Sequence, residues 1–190
     1  MDDIEGMDDI GAKERVAGFL ATRDAQTLAQ TLLELAEDCP AVYQRLERLR
    51  LRDDPAALVA LFAERLQLWE SDDRYIGWRD SSAFGRDLNE WVTQVQRETL
   101  PTFPGETMKL LEAFLDLDRV VFERVDDDGG NVGGSFELAC QLWLTAAEAA
   151  GMSAAEIDRR ASVLLAKDGY GARRTLSNAN NRRREGGDGR

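Results

Sequence analysis

The chain has 190 residues, a length typical of a single domain. Hydrophobic residues make up 43% and charged residues 32% of it, a composition that indicates a globular, charge-rich helical protein and excludes a disordered one. The net charge of −12 disfavours unspecific attraction to nucleic acid or anionic membranes, because phosphate contacts need clustered Lys and Arg.

Residues 1–9 are expected to form a flexible acidic N-terminus, followed by a single helical domain over residues 10–176. In the first helical stretch, Asp24 is placed to cap the helix and Pro40 to stop it. Its apolar residues recur every three or four positions, as on one face of a helix. That face comprises Leu28, Leu32, Leu35 and Cys39, and a second helix should turn Val42, Leu46 and Leu49 inward.

The middle of the chain carries two long apolar stripes. Asp54 and Pro55 supply a helix cap and a proline at the first helical position, and a later helix should end before Pro101 and Pro104. Between the two helices, residues 71–78 read as a turn. The first stripe comprises Leu58, Leu61, Phe62, Leu66 and Trp69, and the second comprises Phe84, Leu88, Trp91, Val92 and Val95. Trp69, Trp91 and Trp143 are therefore predicted to be core residues.

Three further helix boundaries are predicted in the last third of the chain. Ser135 is expected to cap one helix, and Gly151 falls at the position just after its end. Ser153 and Glu156 then form the pattern of a capping box for another helix. Residues 177–190, rich in Asn, Arg and Gly, are expected to be a disordered basic tail.

Seven or eight helices joined by short turns predict an all-α fold. Such helices can stack as antiparallel hairpins, in an α-solenoid-like repeat, or gather into a bundle, and we favour the stack. The longest apolar run is too short for a membrane span, and the acidic start is unlike a secretory signal. We therefore expect a cytoplasmic protein. Cys39 and Cys140 are expected to be buried thiols, since the chain has no histidine and no closely paired cysteines for a metal site.

Four phrases resemble those of a bacterial family of uncharacterised helical-repeat domains, which is sometimes found in proteins with SWIM-type zinc fingers. They lie at residues 33–38, 74–80, 121–133 and 167–173, within a match that spans most of residues 28–176. The resemblance implies a cytoplasmic helical-hairpin repeat of unknown biochemical role. The zinc-finger cysteines and histidines of such proteins do not occur here.

The acidic loop that begins at Asp126 partly fits a calcium-binding loop. With Asp126 at position 1, Asp128 falls at position 3 and Glu137 at position 12. Gly130 and Asn131, at positions 5 and 6, replace a ligand and the glycine of the turn, so any Ca²⁺ binding would be weak. The alternative, which we favour, is a solvated turn between helices in which glycines supply positive φ angles and the carboxylates cap the next helix.

A candidate partner-binding site lies in the turn before the helix that carries Phe84 and Leu88, at Tyr75, Trp78 and Arg79. Tryptophan and arginine are enriched at interaction hot spots, because both bury large surfaces with directed hydrogen bonds. The alternative, which we favour for these residues, is that Trp78 packs beneath the next helix while Arg79 and Asp80 serve as polar groups of a helix start.

Charge distribution suggests two further, opposite functions. Residues 1–166 carry 17 basic and 33 acidic side chains, a net charge of −16, which would suit a protein that imitates DNA. The basic side chains near the end could contact phosphates, but no aromatic residues are interleaved with them, so nucleic-acid binding is disfavoured. These arginines are Arg173, Arg174, Arg182, Arg183 and Arg184.

Enzymatic function is not expected, because the chain lacks histidine and every common catalytic motif. The leading hypothesis is a non-enzymatic, cytoplasmic helical-repeat scaffold that binds an unidentified protein partner and needs no cofactor. A weakly Ca²⁺-responsive module and an acidic DNA mimic are the alternatives.

Overall fold

The computed structural model describes residues 3–187, with the side chains of residues 11–179 and 181. This part of the chain is all-α, which confirms the predicted fold class, and contains ten helices instead of seven or eight. The helices are α1 (Asp3–Ala21), α2 (Ala25–Asp38), α3 (Pro40–Arg50), α4 (Pro55–Ser71), α5 (Trp78–Glu98), α6 (Pro104–Leu115), α7 (Asp118–Arg124), α8 (Asn131–Ala149), α9 (Ala154–Ala166) and α10 (Arg174–Gly187). None of the described helices has both the length and the apolar composition needed to span a membrane.

The chain divides into two compact units where the sequence predicted one domain over residues 10–176. Unit 1 is Met1–Arg50 and unit 2 is Leu51–Arg190. Within unit 1, α2 and α3 pack against each other. The only buried hydrophobic side chain that the structure describes in this unit is Ala36. All other buried hydrophobic side chains of the described residues lie in unit 2.

Helix boundaries in unit 1 follow the predicted caps, but burial does not follow the predicted faces. The backbone N–H of Thr27 donates a hydrogen bond to Asp24 Oδ1 at 2.9 Å, which caps α2 as predicted. Leu32, Leu35 and Leu49, expected to point inward, are exposed. Apolar periodicity identifies one face of a helix, but it does not supply the neighbour that covers it. The prediction that Cys39 is buried is wrong for the same reason.

Helices occupy most of the terminal segments that were predicted to be flexible. α1 begins at Asp3, within residues 1–9, and no proline interrupts its sequence. α10 continues to Gly187, through most of residues 177–190. Leu176, in its first turn, is buried, and α10 packs against α8 and α9, so that packing favours a helix where the Asn-rich sequence does not. Residues 1–2 and 188–190 lie outside the described residues.

Unit 2 is organised around α8, which packs most extensively against α5 and α6 and also contacts α10. A repeat stack would instead place each hairpin against its sequence neighbours, and the predicted repeat arrangement therefore stays a prediction. The predicted core tryptophans are confirmed as buried. Trp91 stacks on Phe114 with the ring centroids 5.3 Å apart, and Phe114 in turn contacts Phe136 at 4.8 Å. Cys140 is buried, as predicted, and burial raises the pKa of its thiol to about 12.

The approach of α5 to α8 depends on a glycine. A Cβ atom built on Gly85 would lie 2.8 Å from Asn131 Cβ and 3.0 Å from the carbonyl carbon of Asn131. Ser135 was predicted to cap α8, but it lies one turn inside the helix and is buried. Its hydroxyl donates a hydrogen bond to the Gly85 carbonyl at 3.1 Å. The serine therefore joins two helices where the prediction placed it at a helix start.

Candidate functional site

The segment between α4 and α5, residues 72–77, is held in place by a buried arginine at the end of α7. Arg124 Nη2 donates a hydrogen bond to the Trp69 carbonyl at 2.9 Å. Its Nη1 donates to the Asp72 carbonyl and lies 3.2 Å from Asp72 Oδ2. Burial makes these bonds costly to break, because an unpaired guanidinium would remain in the interior. The segment therefore has a defined position relative to α7.

A second arginine, Arg74, binds the Asp72 carboxylate at the start of the same segment. Arg74 Nε donates to Asp72 Oδ1 and Arg74 Nη2 donates to Asp72 Oδ2, each at 2.8 Å. Hydrogen bonds from the Arg74 side chain, then from its backbone N–H, and further from Arg124, hold the pKa of Asp72 well below its usual range. Asp72 is therefore a carboxylate at neutral pH that accepts bonds from both arginines.

A single parallel β-bridge fixes the end of the segment. The N–H of Ile76 donates to the Arg124 carbonyl at 2.8 Å, and the N–H of Asp126 donates to the Ile76 carbonyl at 2.9 Å. Ile76 also packs against the hydrophobic core, so the bridge has a buried side. Gly77, which follows Ile76, is also extended, with φ −74° and ψ 167°.

The predicted partner-binding residues Tyr75, Trp78 and Arg79 are all exposed, and we call them the aromatic patch. Tyr75 is 71% exposed and Trp78 is 64% exposed. The alternative in which Trp78 packs beneath the next helix is therefore wrong. Arg79 places its guanidinium carbon 5.0 Å from the centroid of a Trp78 ring, a cation–π geometry. No ion pair of Arg79 occurs within the described residues.

The acidic loop caps α8. Asp127 Oδ1 accepts a hydrogen bond from the N–H of Val132 at 3.0 Å, and its Oδ2 accepts one from the N–H of Gly133 at 2.9 Å. Gly130 has a φ of 68°, a conformation that favours glycine. These features match the turn that we favoured from the sequence, in which a carboxylate binds the positive end of a helix.

The three predicted Ca²⁺ ligands Asp126, Asp128 and Glu137 do not form a common metal-binding group. Over the part of the chain that the structure describes, no group of three or more acidic or cysteine side chains is placed to hold a metal ion. Asp127, which makes the loop's helix-capping bonds, was not among the predicted ligands. Ca²⁺ binding by this loop stays a prediction.

Sequence reasoning did not predict the burial of Arg124 or of Arg173. Arg173, counted among the basic residues of the tail, is fully buried. Its guanidinium donates to the Leu164 and Leu115 carbonyls, each at 2.7 Å, and to Asp118 Oδ2 at 3.0 Å. For Arg124 a signal existed, since it lies three positions after buried Val121 and thus on the same helix face. For Arg173 we find no such periodic signal.

Comparison with known proteins identifies the family but no activity. A sequence family described as "Family of unknown function (DUF6880)" matches residues 17–182. No curated protein and no solved structure shows significant similarity to the chain. The association with SWIM-type zinc fingers stays a prediction. Because the match covers most of its length, the chain belongs to the family of unknown function DUF6880.

Proposed function

We propose that the protein is a non-enzymatic scaffold that binds a protein partner through the aromatic patch. The observation that carries this proposal is the exposure of Trp78, at 64%, directly after a segment that buried hydrogen bonds hold in place. Exposed aromatic side chains next to arginine are typical of interaction hot spots, because they bury a large area on binding.

Rigid presentation of the patch supports the proposal. Association costs free energy when side chains and loops must be ordered, so a surface that is already ordered binds more tightly. Arg124 and the Ile76 bridge order the backbone on which Tyr75 lies, and Trp78 begins α5. The partner would therefore meet a surface whose backbone is already in place.

The remaining parts of the proposal rest on the sequence. The chain contains no histidine, the commonest general acid and base, which supports a non-enzymatic role. We also propose a cytoplasmic location, which the acidic composition favours because such a protein stays soluble at neutral pH. Separating the cells that make the protein into cytosolic, membrane and secreted fractions would test the location directly.

Affinity capture with paired variants would test the binding proposal. Tagged wild-type protein and a Trp78→Ala/Arg79→Ala variant would each be incubated with nuclease-treated lysate of the producing cells, and bound proteins identified by mass spectrometry. Val163→Ala is the control, because Val163 is 58% exposed on α9, outside the patch. We expect a specific protein to be captured by the wild type and the control and lost from the double variant.

The melting temperature separates a binding defect from unfolding. Because Trp78 and Arg79 are exposed, their replacement should change stability by no more than about 0.5 kcal/mol. Unfolding of the double variant would show that the patch is structural and not an interface. Equal capture by all three proteins would contradict a role of the patch in binding.

A further inference from the structure

Backbone hydrogen bonding in the segment between α4 and α5 is one-sided. Ile76 uses its N–H and its C=O on the side of α7, with Arg124 and Asp126. Successive residues of an extended segment direct these groups to opposite sides, so Tyr75 and Gly77 present theirs to the other side. Within the described residues, the N–H and the C=O of Tyr75 make no hydrogen bond, and neither does the N–H of Gly77. We call this side of the segment the open edge.

The surroundings of Gly77 and Tyr75 are open. Apart from its chain neighbours Ile76 and Trp78, the one atom of the described residues within 4 Å of a Cβ built on Gly77 is the Cε1 of Tyr75, at 3.9 Å. The Tyr75 ring therefore lies near Gly77, and it is 71% exposed. Unpaired backbone donors and acceptors at an accessible edge are the groups to which an added strand binds.

We propose that the partner presents an extended peptide segment, which adds to the open edge as a second strand. The peptide backbone would bond to the N–H and C=O of Tyr75 and to the N–H of Gly77. An apolar side chain of the peptide would lie against Tyr75 and Trp78, and an acidic one would pair with Arg79, which has no ion pair among the described residues. This inference rests on the proposed function and names the chemistry of its partner.

Gly77 allows a substitution that removes a backbone donor without altering the fold. Its φ of −74° lies within the range that proline imposes, and the extended Ile76 before it suits a following proline. Gly77→Pro therefore deletes one N–H at the open edge. Gly77→Ala is the matched control, because it adds a side-chain atom but keeps the N–H.

The experiment uses short linear peptides selected from a random displayed library. Selection would be made on the wild-type protein after depletion on the Trp78→Ala/Arg79→Ala variant, so that only peptides that need the patch remain. The dominant peptide is then the probe. We expect Gly77→Pro to weaken its binding about tenfold, the effect of one lost hydrogen bond, and Gly77→Ala to bind within about twofold of the wild type. Bound peptide should also slow hydrogen exchange at the Tyr75 amide.

Two results would overturn the inference. One is that no peptide survives selection and depletion. The other is equal affinity of Gly77→Pro and Gly77→Ala together with unchanged exchange at Tyr75, which would mean that the peptide binds through side chains alone. In both cases the proposed function is decided separately, because the affinity capture does not depend on an added strand. Loss of capture in the Trp78→Ala/Arg79→Ala variant would support the proposed function even if the addition of a peptide strand were excluded.

Discussion

Both units contain helices with apolar residues at helical spacing, but these residues are mostly exposed in unit 1 and buried in unit 2. α2 in unit 1 carries leucines at helical spacing, yet Leu32 and Leu35 are 42% and 50% exposed. α5 in unit 2 carries the same kind of stripe, and its Leu88 and Val92 are completely buried. α5 packs against α8, whereas the contacts within unit 1 are chiefly those of α2 with α3. An amphipathic face becomes core only when enough elements surround it.

The polar interactions of the two units differ in a similar way. In unit 1, Asp24 bonds to Thr27 and Glu47 to Arg50, which are residues three positions apart on one helix. In unit 2, Arg173 reaches the Leu115 carbonyl, 58 positions earlier in the chain. Local bonds stabilise helices singly, whereas distant bonds fix how helices are arranged. The distant bonds of unit 2 should therefore make its unfolding cooperative.

The largest expected effect is the removal of Arg173, one of the buried arginines of unit 2. Arg173→Ala should lower the free energy of unfolding by about 3–5 kcal/mol, because it leaves the buried Asp118 carboxylate without its partner. Urea unfolding followed by tryptophan fluorescence would measure this, since all four tryptophans lie in unit 2. The neighbouring Arg174→Ala is the control, because Arg174 is exposed and should change stability by less than about 0.5 kcal/mol. Similar values for the two variants would show that the buried network contributes little.

A pair of leucine substitutions tests the contrast in burial directly. Leu88→Ala should cost about 2–5 kcal/mol, because it opens a cavity in the core of unit 2. Leu33→Ala, at a site 57% exposed in α2, should change stability by less than about 0.5 kcal/mol. Urea unfolding followed by circular dichroism reports both units. A large loss from Leu33→Ala would mean that the exposed face of α2 is covered in solution.

Two glycines test how closely the helices of unit 2 are packed. Gly85→Ala should destabilise the protein by about 1–3 kcal/mol, because its Cβ would press on the backbone of α8 at Asn131. Gly105→Ala is the matched change in open space, with no atom within 4 Å, and should leave stability unchanged or raise it by up to about 1 kcal/mol. Thermal unfolding of both variants would measure this. Equal shifts of the melting temperature in the two variants would contradict a close approach of α5 and α8 at Gly85.

The smallest expected effect is a pH dependence that arises at Asp72. Its pKa is depressed in the folded protein, so its contribution to stability is complete above the unfolded value of about 3.9 and is lost as the pH falls further. Between about pH 5 and about pH 3, the melting temperature of Asp72→Asn should therefore fall less than that of the wild type. Asp73→Asn, at an exposed neighbour, should behave as the wild type does. Parallel curves for all three proteins would exclude a stabilising role of the Asp72 carboxylate.

Local signals predicted the starts of several helices well. The caps at Asp24 and Asp54 and the capping box at Ser153 occur where the sequence places them, because each bond joins residues three positions apart. Ser135 was assigned wrongly, since a serine can cap a helix or bond to a neighbouring one, and its own sequence does not distinguish the two. Tyr75, Trp78 and Arg79 were named from the sequence as a candidate partner-binding site, which stays a prediction, and their exposure was not predictable.

The sequence by itself determined the all-α class, the caps, the turn at Gly130 and the two apolar stripes that carry Trp69 and Trp91. These features depend on residues close together in the chain, whose spacing is visible in one dimension. The tertiary structure alone decided which apolar faces are covered, that Arg173 is buried, and that Trp78 is exposed. Arg173, for example, bonds to the Leu115 carbonyl, 58 positions earlier in the chain, and the free energy of burial is set by such distant neighbours.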